Sequence, residues 1–104
     1  MDHAAAGASA QYAKDNGVFV ISHVSSFDNA DVYVGLDELA FGLSTGEAAG
    51  KYVKENLDGK AKAAILNADT LGGDLVLRSQ GLSEGLLEHA PEAEIVANVT
   101  AFEE

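Results

Sequence analysis

The chain has 104 residues, 47% of them apolar, and its six basic and seventeen acidic side chains give a formal charge of −11. That length suits one small domain able to bury a core, and the charge argues against an electrostatic grip on nucleic acid or on an anionic membrane surface. There are no cysteines, which excludes disulfides, thiol catalysis and thiolate metal sites, and no signal peptide is visible in the opening residues.

The elements follow in chain order. Asp2 and the stretch HAAAGASAQYAKDNG predict a capped, alanine-rich helix stopped by Asn16 and Gly17. VFVIS, from Val18 to Ser22, is apolar without polar alternation, as expected of a strand covered on both faces in a parallel sheet. The polar stretch HVSSFDNAD separates it from a second strand, VYVGL, from Val32 to Leu36. Asp37 is placed to cap a helix running to about Leu57, with Asp58 and Gly59 as its stop. AKAAILN then reads as a strand and ADTLGG as a loop. A helix from Asp74 to Glu88 follows, with Leu75, Leu82 and Leu86 on its apolar side, closed by Pro91. AEIVANV is the last strand.

Strands separated by helices of this length predict an α/β domain with a parallel sheet flanked by helices, in a flavodoxin-like arrangement. One helix is unusual. Gly42, Gly46 and Gly50 recur every four residues, so they share a face almost without side chains, although each costs roughly 1 kcal/mol relative to alanine. The charges around them exclude a spanning segment, which leaves tight packing against a sheet or a neighbouring lobe.

In parallel sheets ligands sit beyond the carboxyl ends of the strands. Those ends are Ser22 and His23, Leu36 and Asp37, Asn67 to Gly73, and Asn98 to Thr100. Arg78 follows the third loop, and its planar guanidinium is suited to fork across two hydroxyls, although an exposed helix arginine paired with Asp74 or Glu84 would read the same. Asp37 can accept from hydroxyls or simply cap its helix, and Asn67 and Asp69 can bind a polar ligand or stabilise their turn. Phe27 can stack on the apolar face of a ring-shaped ligand or fill the local core. Enzyme signatures are missing: there is no Gly-x-Ser-x-Gly elbow, no triad spacing and no phosphate loop, and the three histidines are too scattered for a metal site. Neither catalysis nor a cofactor is expected.

AKDNGVFVIS, VGLDELAFGLSTGEAAGKYV, LDGKAKAAILN and RSQGLSEGLLEHAPEAEIVA, in this order and spacing, resemble the middle of a type I periplasmic sugar-binding protein. That family includes ribose, simple-sugar and autoinducer-2 receptors and the effector domains of lactose-repressor-like regulators. The resemblance rests on Gly17 to Ile21, on Val34, Gly35, Asp37, Gly42 and Gly46, on Gly59 to Leu66, and on Arg78, Gly81 and Leu82. It implies that residues 1–22 are the last helix and strand of a first lobe, 23–31 a hinge, and 32–104 the opening part of a second lobe. It places Gly42 and Gly46 beside the sheet near hinge and cleft. It also implies that the chain is a fragment of a longer receptor.

By the same resemblance, Arg78 and Asp37 are sugar ligands, and Glu38 stands where relatives often carry asparagine. Ser22 and His23 correspond to a Thr-His pair in simple-sugar relatives. The implied function is binding of a monosaccharide or similar polyol, without chemistry, as the solute-binding component of an ABC-type sugar importer. Its partner would be the membrane permease, and its location periplasmic or extracellular. The alternatives are the effector domain of a regulator and a self-sufficient small flavodoxin-like domain. Unpaired sheet edges predict a homodimer in which two copies exchange the first helix and strand.

Overall fold

The computed structural model describes residues 3–24, 26–71 and 74–101. The elements are α1 (His3–Asp15), β1 (Ile21–His23), β2 (Val32–Val34), α2 (Glu38–Asn56), β3 (Lys62–Asn67), a 3-10 turn (Asp69–Leu71), α3 (Leu75–His89) and β4 (Glu94–Thr100). This is the expected alternation of helices and parallel strands. Asp2 as a cap, Ser25 of the expected hinge and Gly72 and Gly73 of the ADTLGG loop lie outside the described residues. The chain divides after Leu36 into two compact units.

In the first unit the end of α1 is a closed device. The Gly17 N–H bonds to the Lys14 carbonyl (2.9 Å) and the Val18 N–H to the Ala13 carbonyl (3.0 Å), with Gly17 at φ 76°. This is the paired bonding of a glycine-terminated helix. It also corrects the expected strand from Val18 to Ser22, because Val18 still belongs to the helix terminus and pairing begins only at Ile21. β1 and β2 run parallel, Ile21 opposite Val32 and His23 opposite Val34. The faces are not covered as expected: Val18, Phe19, Ile21, Val32 and Val34 are exposed, and only Ser22 of β1 is buried.

Parallel strands usually need a crossover of a dozen or more residues, yet only residues 24–31 join this pair. The tight path puts Val24 and Asn29 at φ 71° and 68°, a region in which a β-branched valine is strained. Val24 is held there by its N–H to the Val34 carbonyl (3.0 Å) and by the Tyr33 hydroxyl on its own carbonyl (3.2 Å). Asp31 ties the link to the start of the strand. Its carboxylate accepts from the Val20 N–H (2.9 Å) and pairs with Lys14 (2.8 Å).

The second unit is a β-α-β motif with α2 laid on its helix. β3 and β4 pair in parallel from Lys62 opposite Glu94 to Asn67 opposite Thr100, with an irregularity at Ala63 and Ala64. The four described strands therefore form two two-stranded sheets, in place of the single sheet expected. The Asp37 carboxylate accepts from the Ala40 N–H (3.0 Å) and caps α2, which ends through the Gly59 N–H on the Val53 carbonyl (3.1 Å). Asp74 stands at the start of α3 without a side-chain cap bond to it.

The glycine face of α2 meets a helix, and this corrects the expected sheet contact. Gly42, Gly46 and Gly50 are buried against α3, which answers with Gly81 and Gly85. A Cβ on Gly42 would run into the Arg78 carbonyl oxygen, one on Gly46 into that of Leu82, one on Gly81 into that of Leu39 and one on Gly85 into that of Leu43. The two backbones thus touch directly, which only glycine permits. Around the far end of this seam Val53, Leu86, Ala90 and Ala93 form the core, with Ala61, Ala63 and Ile95 packed on it.

Candidate functional site

The second unit gathers polar groups at the carboxyl end of its strands, where α3 begins. Asn67, the last residue of β3, is buried, and its amide donates to the Asn98 side-chain oxygen (2.7 Å). The Asn67 oxygen accepts from the Asp69 N–H (3.2 Å), and the Asp69 carboxylate accepts from the Ser79 hydroxyl (2.6 Å). The loop after β3 is thereby pinned to both β4 and α3. Asn67 and Asp69 fulfil the turn-stabilising role open to them.

One turn into α3, Arg78 donates from Nε to Oε2 of Glu38 (2.6 Å) and stands over the Phe41 ring, 4.9 Å from its centroid. Arg78 is half-exposed and Glu38 is 8% exposed. The helix packing explains the pair: the glycine seam brings the first turns of α2 and α3 together, so an acid at the head of one reaches the arginine of the other. The Glu38 hydrogen bond raises the Arg78 pKa above its ordinary value, against a smaller opposing effect of desolvation. Neither Asp74 nor Glu84 is the partner in this bond. Glu84 instead accepts from Gln80 (2.8 Å).

Beside the arginine lies a cleft of about 180 Å³, lined by Asn67, Leu75, Arg78, Ser79 and Leu82 among others. The arrangement provides a planar donor over an aromatic ring, a half-apolar wall and neighbouring amide and hydroxyl groups, which suits hydrogen bonding to a small hydroxylated molecule. No cluster of metal-ligating side chains occurs among the described residues.

Of the residues singled out from sequence, Arg78, Glu38, Asp37, Asn67 and Asp69 belong to this unit. Asp37 spends one carboxylate oxygen on its helix cap. Ser22, His23 and Phe27 belong to the first unit. There Ser22 is 1% exposed and its hydroxyl has no partner among the described residues, His23 is exposed, and Phe27 is half-buried. Phe41 and Ser79 were not singled out, and Asn98 was named only as the end of its strand. Phe41 follows Glu38 by three positions and so shares its side of α2, a spacing visible in the sequence. Ser79 adjoins Arg78, whereas the role of Asn98 depends on the register of β4 against β3.

A family model described as a periplasmic binding protein domain matches residues 1–104. The fold is similar to that of a protein from Mycobacterium smegmatis whose crystal structure is a complex with β-D-fucofuranose, with TM-score 0.69 and 27% identity over 89% of this chain and 32% of that one. It is also similar to an ABC transporter periplasmic solute-binding protein from Actinobacillus succinogenes with bound D-allose, with TM-score 0.65 and 25% identity over 88% of this chain and 34% of that one. The fructose-binding periplasmic domain of a hybrid two-component system, 22% identical with TM-score 0.64 over 91% of this chain and 31% of that one, shares the fold. This chain spans about a third of the length of these structures. No curated protein sequence matches it.

Proposed function

The chain belongs to the periplasmic binding protein domain family, and we propose that it supplies part of the carbohydrate cleft of a solute-binding receptor serving an ABC-type sugar importer. The observation that carries this reading is the Arg78 guanidinium, fixed over Phe41 at the edge of a cleft beyond the carboxyl end of β3. Sugars bound in the fucofuranose and allose complexes support the ligand class.

The mechanism is binding without chemistry. The free donors of Arg78 take hydroxyl oxygens, Asp37, Asn67 and Asp69 accept from hydroxyl O–H groups, and an aromatic ring covers an apolar face of the sugar. Ser22, His23 and Phe27 belong to the unit that ends at Leu36, which forms part of a first lobe, and the segment from Asp37 opens the second lobe. Affinity arises when the two lobes close over the ligand. The receptor works in the periplasm or outside the cell and hands its sugar to a membrane permease.

The test is calorimetric titration of an intact two-lobed protein carrying this segment with neutral monosaccharides, D-allose and D-fucose among them. Saturable binding of at least one is expected, and the absence of heat with all of them overturns the reading. A second element of the proposal is a homodimer of the 104-residue chain, supported by its exposed apolar strand residues.

A further inference from the structure

An arginine that serves a ligand is usually left open toward it, yet Arg78 is already engaged by an acid of its own chain. Glu38 is the one charged residue on the buried face of α2, where glycines and Val53 make up the rest. Its carboxylate takes the Nε–H at 2.6 Å, and the Phe41 ring lies against one face of the same guanidinium. Burying that acid is costly unless it is paired, so the pair is fixed rather than incidental. It consumes one of the five guanidinium N–H groups and leaves the terminal nitrogens for a ligand. The charge is consumed as well. Asp69, bonded to the cleft-lining Ser79 next to Arg78, adds a second acid nearby.

We infer that Glu38 is the positioning and charge-selecting residue of this cleft: it aims Arg78 through Nε and cancels its charge, so that uncharged hydroxyl groups are accepted and carboxylated or phosphorylated sugars are refused. The inference rests on the carbohydrate reading for its ligand class, but the Glu38–Arg78 couple can be tested without any sugar.

Arg78 is the only arginine of the chain, so its Nε–H resonance is unambiguous in a nitrogen-resolved NMR spectrum. In the 104-residue chain that resonance should exchange slowly and sit at a shift typical of a carboxylate-bonded guanidinium. In Glu38→Gln it should move toward the position of free arginine. Titration with inorganic phosphate, followed at the same resonance, should leave the wild type almost unmoved and bind Glu38→Gln about tenfold or more tightly by comparison, because the buried countercharge is gone. If Glu38→Gln fails to fold, Glu38→Asp serves instead. It keeps the charge on a shorter arm, so the Nε–H resonance should shift while phosphate is still refused.

An Nε–H exchanging as fast as free arginine in the wild type overturns the inference. So does equal phosphate binding by wild type and Glu38→Gln, or phosphate uptake by Glu38→Asp. These results are independent of the sugar titration. Failure of an intact receptor to bind any monosaccharide removes the carbohydrate reading and leaves the phosphate comparison standing, whereas sugar binding with unchanged phosphate response removes only the role of Glu38.

Discussion

Truncating Arg78 has two separable effects, because the side chain faces both a ligand cleft and a buried acid. In an intact two-lobed receptor carrying this segment, Arg78→Ala should weaken monosaccharide binding by about 1.5 to 3 kcal/mol, the loss expected for a charged donor in a closed cleft. It should also lower stability by about 1 to 2 kcal/mol, since Glu38 is left without its partner, an effect moderated by the exposure of the arginine itself. Arg78→Lys separates the two. An ammonium still neutralises Glu38 and restores most of the stability, but a point charge cannot reproduce a planar fork, so binding stays weak. Calorimetry and thermal melts on both variants check this, and unchanged affinity in Arg78→Ala would take the residue out of the site. The placement of Arg78 was legible in the sequence, because it depends on a loop and the helix start that follows it. Its partner was not. Glu38 read as a substitution in a ligand position, and nothing local tells which distant side chain an acid at a helix start will meet.

At the level of elements, α2 carries its own boundaries and conceals its neighbour. The Asp37 cap and the Asp58–Gly59 stop are local chemistry, which is why the helix was readable from end to end. What covers Gly42, Gly46 and Gly50 depends on Gly81 and Gly85 far along the chain, and a glycine face looks the same whether a sheet or a helix lies on it. β1 shows another limit, since the apolar run from Val18 suggested a longer strand while the Ala13 carbonyl held Val18 in the helix end. The seam makes a sharp prediction. Gly46→Leu should destabilise the fold by about 1 to 3 kcal/mol by overpacking against the Leu82 carbonyl and the Leu86 N–H, although leucine is the better helix former. Chemical denaturation measures this, and a variant as stable as the parent would mean that the helices do not touch there. Glu47, beside the seam, predicts a pH effect. The Lys51 hydrogen bond, helped by its charge, holds the Glu47 carboxyl below the usual glutamate value. A depressed folded value means that the contribution is present above the ordinary pKa and is lost as pH falls through the folded one. Acidification below the ordinary glutamate range should therefore lower the melting temperature, and Glu47→Gln should make that decline shallower. An identical decline in the variant would assign it to other carboxylates.

For the whole molecule the decisive feature is apolar surface on strands. Val18, Phe19, Ile21, Val32 and Val34 are exposed in the first unit, and Leu66, Val96 and Val99 in the second, with Leu66 at 76%. Scattered exposed apolar residues are ordinary, but these lie on two-stranded sheets that keep unpaired edges among the described residues, and such edges recruit further strands. The net charge of −11 opposes indiscriminate clumping, because each copy repels its neighbours except where backbone pairing and apolar burial are both available. A discrete pair satisfies these demands better than an aggregate. If two copies exchange α1 and β1, the crossed arms hold the pair together and bring its apolar strand faces close enough to cover one another, without any new sequence being required. The 104-residue chain should therefore run as a homodimer in light scattering at micromolar concentration, and raising the salt should strengthen the association by screening the repulsion. It should show little affinity for free sugar, since it spans about a third of the sugar-bound structures it resembles. Substituting Ile21→Lys and Val32→Lys together, one on each strand of the first sheet and both exposed, should shift the pair toward monomer. A monomeric parent chain with one sharp thermal transition would rule out strand exchange and favour a self-sufficient small α/β domain.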